Sequence, residues 1–208
     1  FSVKVKRINY MDLIRKTLLP VRSAVAGHLI ARKTKIDFAV IGFPKCATTS
    51  IHKTLENVTD VYIPSYEVQV PTLKKGWLTL PEDKTILGIK NPNIIYESHN
   101  LLSLYQSNKD MKFVVSMRNP SDWLFSFYQY RMLEIRNEQK WLQSRLEKHP
   151  EVRDMTFDDI VYGNKSFLGV SVSTGFFVNY LIDIFKWIPR ENILIMMTEE
   201  IAENPSFA

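Results

Sequence analysis

Five short apolar runs alternate with helical patterns along this chain, and this alternation restricts its fold more than any other feature. The runs lie at residues 37–43, 60–64, 85–90, 111–117 and 192–197. Strands that are apolar throughout are typical of a parallel sheet, because helices cover both of its faces. The sequence therefore predicts an α/β fold, a single domain with a central parallel sheet flanked by helices.

Two long helices are predicted between the last two strands. Residues 121–148 have a helical pattern, and Ser121 and Asp122 are residue types that favour a helix N-terminus. Residues 169–188 form a second pattern that leads into the last strand. No repeat, low-complexity tract or linker interrupts the chain, so we predict one domain over residues 37–208.

The first 36 residues differ from the rest in charge. Residues 1–36 carry nine Lys or Arg and one acid, whereas the rest of the chain carries 18 basic and 21 acidic side chains. Apolar residues recur in this arm at steps of three and four, as in an amphipathic helix: Met11, Ile14, Leu18, Val21 and Val25. Such a helix either contacts anionic lipid or another polyanion, as a peripheral membrane contact, or packs on the domain, which is the more common arrangement. The basic character belongs to the arm and says little about the main domain. We expect no nucleic-acid partner.

The remaining composition excludes several classes of protein. A single cysteine, Cys46, rules out an internal disulfide framework and a zinc site made of several cysteines. No run of 18 apolar residues exists, so the chain as given is not expected to span a membrane. It begins with Phe1 and not Met, which is compatible with removal of an anchor, a signal or a longer N-terminus.

The stretch "GFPKCATTS", residues 42–50, joins the first strand to a helical pattern. A strand, a tight turn and a helix start direct several backbone N–H groups and the positive end of the helix dipole at one point, which suits phosphate. Lys45 adds a charge, and three hydroxyl residues follow it: Thr48, Thr49 and Ser50. The stretch is not a Walker A loop, because Ala47 replaces its second glycine and Thr48 stands where its lysine should be.

A second candidate anion site follows the fourth strand. Arg118 comes directly after that strand, where a magnesium-dependent NTPase usually has an acid, and Ser126 lies two turns into the predicted helix. An arginine can grip phosphate with two parallel hydrogen bonds, and a serine adds one hydroxyl. Taken singly, either residue has an ordinary structural explanation. Together with the loop, they indicate a ligand with two separated phosphates.

These two motifs resemble those of the sulfotransferases that use 3′-phosphoadenosine 5′-phosphosulfate (PAPS). "GFPKCATTS" is similar to the family's PKxGTT[ST] loop, and "RNPSDWLFSFY" is similar to its RNPxDxxxSxY motif. The resemblance extends over roughly residues 37–200 and implies a P-loop-like sulfotransferase fold. It implies that the 5′ group is surrounded by Lys45, Cys46, Ala47, Thr48, Thr49 and Ser50, and that Arg118 and Ser126 bind the 3′-phosphate.

The chain departs from the family pattern at two positions. Ala47 stands where the family usually has glycine, and alanine fits there without strain only if its φ is negative. Phe177 stands where a tyrosine is usual, so a hydroxyl is lost near the expected 3′-phosphate site. In the family, further C-terminal segments cover the adenosine and shape the acceptor cleft, so we expect such segments beyond Ala208.

The resemblance also indicates a catalytic base. Cytosolic members use a histidine after a strand, but the matching stretch here, residues 88–95, has none, and a surface or structural role is expected for His28, His52, His99 and His149. The membrane-associated carbohydrate sulfotransferases and many bacterial relatives have a glutamate in a P-x-x-K-E turn. Residues 62–70 offer Pro64 and Glu67 at that place, with Tyr66 where lysine is common. Glu67 is then the base, and Lys90 is expected nearby to orient it or to stabilise sulfuryl oxygens.

The resemblance implies a sulfotransferase that moves a sulfuryl group from PAPS to a hydroxyl acceptor and releases 3′-phosphoadenosine 5′-phosphate (PAP), with no metal requirement. The acceptor is expected to be a glycan or a small molecule, with a carbohydrate favoured. The expected compartment is the Golgi lumen for a membrane-anchored eukaryotic protein and the cytoplasm otherwise. Two alternatives stay open: a P-loop nucleotide or small-molecule kinase, and a non-catalytic PAP-binding module.

Overall fold

The computed structural model describes residues 35–70, 78 and 80–203. The predicted arm over residues 1–36 lies outside these residues except for its last two positions, and so do residues 204–208 of the predicted domain. The boundary between arm and domain therefore stays a prediction.

Five strands form one parallel sheet in the order β2-β3-β1-β4-β5. They are β1 (Phe38–Val40), β2 (Val61–Tyr62), β3 (Ile86–Lys90), β4 (Lys112–Met117) and β5 (Ile193–Met197). Each strand lies within one of the five apolar runs, and the predicted central parallel sheet flanked by helices is confirmed. β1 and β3 are buried along their whole lengths, which explains why no polar residue alternates with the apolar ones.

Seven α-helices occur in the described part of the chain. They are α1 (Thr48–Glu56), α2 (Ser98–Ser107), α3 (Pro120–Arg136), α4 (Lys140–Lys148), α5 (Phe157–Val161), α6 (Phe177–Phe185) and α7 (Thr198–Ala202). Short 3₁₀ helices lie at Pro92–Tyr96, Pro150–Asp154, Ser173–Gly175 and Arg190–Asn192. None of the helices in the described residues is long and apolar enough to cross a membrane.

The described residues fall into two compact units. The first comprises residues 35–117 and 183–203 and contains the sheet; its core joins β1, β4 and β5 to apolar residues of α1 such as Ile51 and Leu55. The second comprises residues 118–182 and is helical. Its centre is Trp123, a fully buried side chain whose ring packs edge-on against Phe127 and Phe177.

The predicted helix over residues 121–148 is in fact two helices, α3 and α4. Glu138 has φ 48°, and the N–H groups of Glu138 and Gln139 donate to the carbonyls of Ile135 and Glu134. This arrangement closes the C-terminus of α3 with a left-handed residue, so the helix ends there. Ser121 and Asp122 lie in the first turn of α3, and Asn119 caps the helix by accepting a hydrogen bond from the backbone N–H of Ser121.

The predicted helix over residues 169–188 is shorter than expected, because α6 begins only at Phe177. In the preceding segment, the Thr174 hydroxyl accepts a hydrogen bond from the backbone N–H of Ser171 and lies 2.8 Å from the carbonyl oxygen of Ser171. Hydroxyl side chains that bond the nearby backbone compete with helical hydrogen bonds. The Ser- and Thr-rich part of the pattern therefore forms turns and a 3₁₀ helix.

Candidate active site

The carboxyl end of β1 lies where the strand order reverses. From β1 the chain goes to β2 and β3 on one side of it, and then to β4 and β5 on the other. Parallel sheets bind ligands at such a point, because neighbouring connections leave the sheet in opposite directions and open a crevice. Residues 42–50 begin at this end of β1, so the loop singled out in the sequence has the position of a ligand-binding loop.

The start of the loop is held against β4 by its backbone. The N–H groups of Ile41 and Phe43 donate to the carbonyls of Val114 and Ser116, at 2.9 and 3.1 Å. A Cβ added at Gly42 would lie 1.9 Å from the backbone nitrogen of Ser116, a separation that no side chain can accept. Glycine at this position is therefore required by the close approach of two backbones.

Two residues of the loop adopt the left-handed conformation without being glycine. Lys45 has φ 64°, and Ala47, at the N-cap of α1, has φ 58° and ψ 20°. An alanine replaces glycine at this position without strain only if its φ is negative, and the φ of Ala47 is positive. The loop has a backbone conformation suited to glycine. For Ala47, which has a Cβ, this left-handed conformation carries a strain energy of about 1–2 kcal/mol.

We expect Ala47→Gly to stabilise the protein by about 0.5 kcal/mol, because relief of strain exceeds the added freedom of the unfolded chain and the loss of one partly buried methyl group. Ala47→Val should instead destabilise it by about 2 kcal/mol, since a β-branched side chain is least compatible with positive φ. Urea unfolding of both variants measures the two shifts. Equal stability of the Val and Gly variants would contradict the claim that the backbone at residue 47 is strained.

The start of α1 is suited to an anion. Within the described residues no side chain caps this helix end, and its first turn contains no acid. The first N–H groups of a helix have no partner within it and carry the positive end of its dipole. Thr48 is buried, Thr49 is exposed and Ser50 is half-buried. The Cys46 side chain is fully buried, so this residue supports the loop from the core side.

Glu67 and Lys90 lie together near this loop. Lys90 is the last residue of β3 and pairs in register with Val40, the last residue of β1. Its Nζ lies 3.8 Å from Glu67 Oε1, and the Lys90 side chain is only 11% exposed whereas that of Glu67 is 41% exposed. The pair thus joins a nearly buried ammonium to a carboxylate that solvent and a substrate can reach, as a base requires.

Two further side chains contact the segment that carries Glu67, and neither contact was predicted from the sequence. His52 of α1 is buried, and its Nε2 lies 2.9 Å from the carbonyl oxygen of Pro64. Asn91, just after β3, donates from Nδ2 to the carbonyl oxygen of Val68 at 3.1 Å. A structural role was expected for His52, but its partner, 12 residues away, could not be read from any motif.

The remaining expected ligands belong to the helical unit. Arg118 is half-buried and directly follows β4, and Ser126 is a half-buried residue of α3. Phe177, which replaces the usual tyrosine, is buried with its ring centroid 5.3 Å from that of Trp123. Within residues 35–70, 78 and 80–203, no group of three or more His, Cys, Asp or Glu side chains is arranged to hold a metal ion.

Comparison with known proteins agrees with the fold and identifies the family. A crystal structure of a sulfotransferase from Alicyclobacillus acidocaldarius is similar in fold, with a TM-score of 0.60 and 19% identity over 83% of this chain and 76% of that chain. A search of curated proteins finds no matching relative. A family model described as "Sulfotransferase domain" matches residues 35–207. The predicted family is thereby confirmed: the chain is an enzyme of the sulfotransferase family.

Proposed function

We propose that this sulfotransferase moves a sulfuryl group from PAPS to a hydroxyl group of a carbohydrate, with Glu67 as the base and Lys45 as the stabilising cation. The observation that carries the proposal is the Glu67–Lys90 pair, which lies at the carboxyl end of β3, beside the strand that leads into the loop. A partly exposed carboxylate and a phosphate-binding turn on neighbouring strands are the two parts that this reaction needs.

The loop supports PAPS as the donor. Its left-handed residues turn the chain into α1, whose N-terminus has no capping side chain and no acid among the described residues. Backbone N–H groups in such a turn bind phosphate oxygens without the help of a metal. Lys45 belongs to this turn, so its ammonium would contact the 5′ end of the nucleotide and, in PAPS, the bridge between phosphate and sulfate.

In the proposed mechanism, Glu67 accepts the proton of the acceptor hydroxyl as that oxygen attacks sulfur in line. The new bond joins the acceptor oxygen to sulfur, and the bond between sulfur and the bridging phosphate oxygen breaks. Lys45 neutralises the negative charge that develops on that bridging oxygen, which leaves as part of PAP. Lys90 holds the carboxylate in place and can contact the sulfuryl oxygens during transfer.

A carbohydrate acceptor is favoured by the type of base. Glu67 follows a proline, as the glutamate of the carbohydrate sulfotransferases that the sequence resembles does, although it comes three residues after Pro64 and not four. It is also the exposed member of its ion pair. Tyr66 beside it is 59% exposed, and an exposed aromatic side chain is a surface on which a sugar ring can stack. The acceptor hydroxyl would then approach Glu67 from the solvent side.

Calorimetric titration of the protein with PAP and with ATP, both in EDTA, tests the donor. PAP should bind, because the proposed site needs no magnesium, whereas ATP should bind much more weakly because it lacks the 3′-phosphate. Tight ATP binding that requires magnesium would instead favour a kinase.

Labelled PAPS offered with a panel of p-nitrophenyl glycosides and simple alcohols then tests the acceptor. PAP binding without transfer to any of them would favour a non-catalytic module.

We propose Arg118 and Ser126 as ligands of the 3′-phosphate, from their place in the second motif. Arg118→Ala should weaken PAP binding about 10- to 100-fold, the usual cost of one charged hydrogen-bonding partner. Binding of adenosine 5′-monophosphate, which has no 3′-phosphate, should stay unchanged. Titrations with both nucleotides measure the difference, and Arg136→Ala on the same helical unit serves as the control. Equal losses for both nucleotides would contradict the assignment.

A further inference from the structure

We propose that His52 and Asn91 are positioning residues for Glu67, and that they tie the base to the phosphate-binding loop. This inference rests on the proposed role of Glu67. Two buried side chains hold the backbone on either side of Glu67, at Pro64 and at Val68. Both side chains bond the backbone of this segment, so each would act through the placement of the carboxylate.

His52 fixes the side that precedes Glu67. Its Nε2 lies 2.9 Å from the carbonyl oxygen of Pro64, and because a carbonyl can only accept, Nε2 must carry a proton. Its Nδ1 lies 3.8 Å from Glu56 Oε2, one helical turn further along α1. The imidazole is only 7% exposed, so water cannot readily replace this hydrogen bond.

Asn91 fixes the side that follows Glu67. Its Nδ2 donates to the carbonyl oxygen of Val68 at 3.1 Å, and its Oδ1 accepts from the backbone N–H of Asn93 at 3.0 Å. The backbone N–H of Asn91 donates to Val40 in β1, and that of Val68 donates to Lys90. Asn91, which is 2% exposed, thereby bonds the end of β1 through its backbone and the segment that carries Glu67 through its side chain.

The residues between these two anchors are exposed. Pro64 and Val68 are buried, whereas Ser65, Tyr66 and Glu67 face solvent. A short exposed span with both ends fixed leaves Glu67 few backbone conformations, so its carboxylate stays near Lys90. Because His52 belongs to α1, whose first residues belong to the loop, the anchor also sets the distance from base to loop. In-line transfer depends on that distance, and a displacement of about 1 Å can cost about 100-fold in rate.

Three substitutions separate positioning from simple stability. His52→Leu removes the donor, whereas His52→Gln puts an amide nitrogen close to the position of Nε2 and can restore the hydrogen bond. Asn91→Asp keeps the acceptor for Asn93 but replaces the donor to Val68 with a carboxylate oxygen. His99→Leu, at an exposed position of α2, is the matched control for loss of an imidazole.

The readouts are kcat for transfer from labelled PAPS to the p-nitrophenyl glycoside that the wild type sulfates fastest, and the Kd of PAP. We expect His52→Leu and Asn91→Asp to lower kcat about 10- to 100-fold with PAP affinity within about twofold of wild type. His52→Gln should recover most of the lost kcat, and His99→Leu should leave it unchanged. Wild-type kcat in His52→Leu, or an equal loss of PAP binding, would overturn the inference.

A double variant distinguishes a failure of this inference from a failure of the proposed role of Glu67 as base. If His52 acts through Glu67, adding His52→Leu to Glu67→Gln should cause no further loss of kcat. Independent, multiplied losses would show that His52 acts elsewhere and would overturn the inference alone. Full activity in Glu67→Gln by itself would overturn the role of Glu67 as base, whatever the result for His52.

Discussion

Lys45→Ala should lower kcat about a thousandfold, the usual cost of removing one group that stabilises charge developing in a transition state. The ammonium would be lost where the bridging oxygen becomes negative, so the effect should fall on kcat more than on binding. PAP affinity should fall only about tenfold, as expected for one charge-assisted contact. Steady-state kinetics with labelled PAPS and titration with PAP measure the two effects separately.

The Lys45→Ala substitution removes the charge with little change in the backbone strain at this position. Alanine also carries a Cβ, so the cost of the left-handed conformation at φ 64° is nearly the same before and after the change. Lys53→Ala, at an exposed position of α1, the helix that follows the loop, removes the same charge and should leave kcat unchanged. Similar losses in both variants would mean that overall charge matters, and that Lys45 has no special role.

Glu67→Gln should lower kcat by about 100- to 10,000-fold, the range that a positioned general base contributes. Glutamine has the same shape, but its amide cannot accept the proton of the acceptor hydroxyl. The loop is untouched, so PAP should bind with wild-type affinity. Transfer from labelled PAPS to the fastest p-nitrophenyl glycoside, together with a PAP titration, measures both properties.

Glu82→Gln is the matched control for this substitution, because Glu82 is an exposed carboxylate in the turn that precedes β3. It should have wild-type kcat and wild-type PAP affinity. Normal turnover in Glu67→Gln would remove Glu67 from the mechanism. Loss of PAP binding in Glu67→Gln would show that the carboxylate supports the nucleotide site instead of the chemistry.

The sheet could be predicted from the sequence because burial on both faces leaves a direct trace in composition. All residues of β1 and β3 are buried, and their runs contain almost no polar side chains. The family could be predicted for a similar reason, since the loop and the "RNPSDWLFSFY" motif are local patterns. The ends of the helices were harder to predict from the sequence. Glu138 adopts φ 48° and ends α3, yet glutamate is a residue that normally favours helix.

The backbone of the loop could not be derived from its sequence. An alanine normally indicates negative φ, but Ala47 has φ 58° at the N-cap of α1. The local preference of this residue is thus overridden in the folded loop.

Contacts between residues that are far apart in the sequence could not be predicted either. His52 meets Pro64 across 12 residues, and Asn91 meets Val68 across 23. Both pairs are set by the way α1 and β3 pack, and neither has a sequence pattern of its own. The base could therefore be chosen by resemblance, whereas the side chains that hold its segment could be found only in the structure.

The most direct test of the proposed function is a single-turnover reaction with labelled PAPS in EDTA, in which PAP and labelled acceptor are measured together. The panel of p-nitrophenyl glycosides and simple alcohols supplies the hydroxyl groups. We expect the label to pass to an acceptor with one PAP formed for each sulfate ester, and Glu67→Gln to bind PAPS without passing the label on. Bound PAPS that stays intact with every acceptor would contradict the proposed activity.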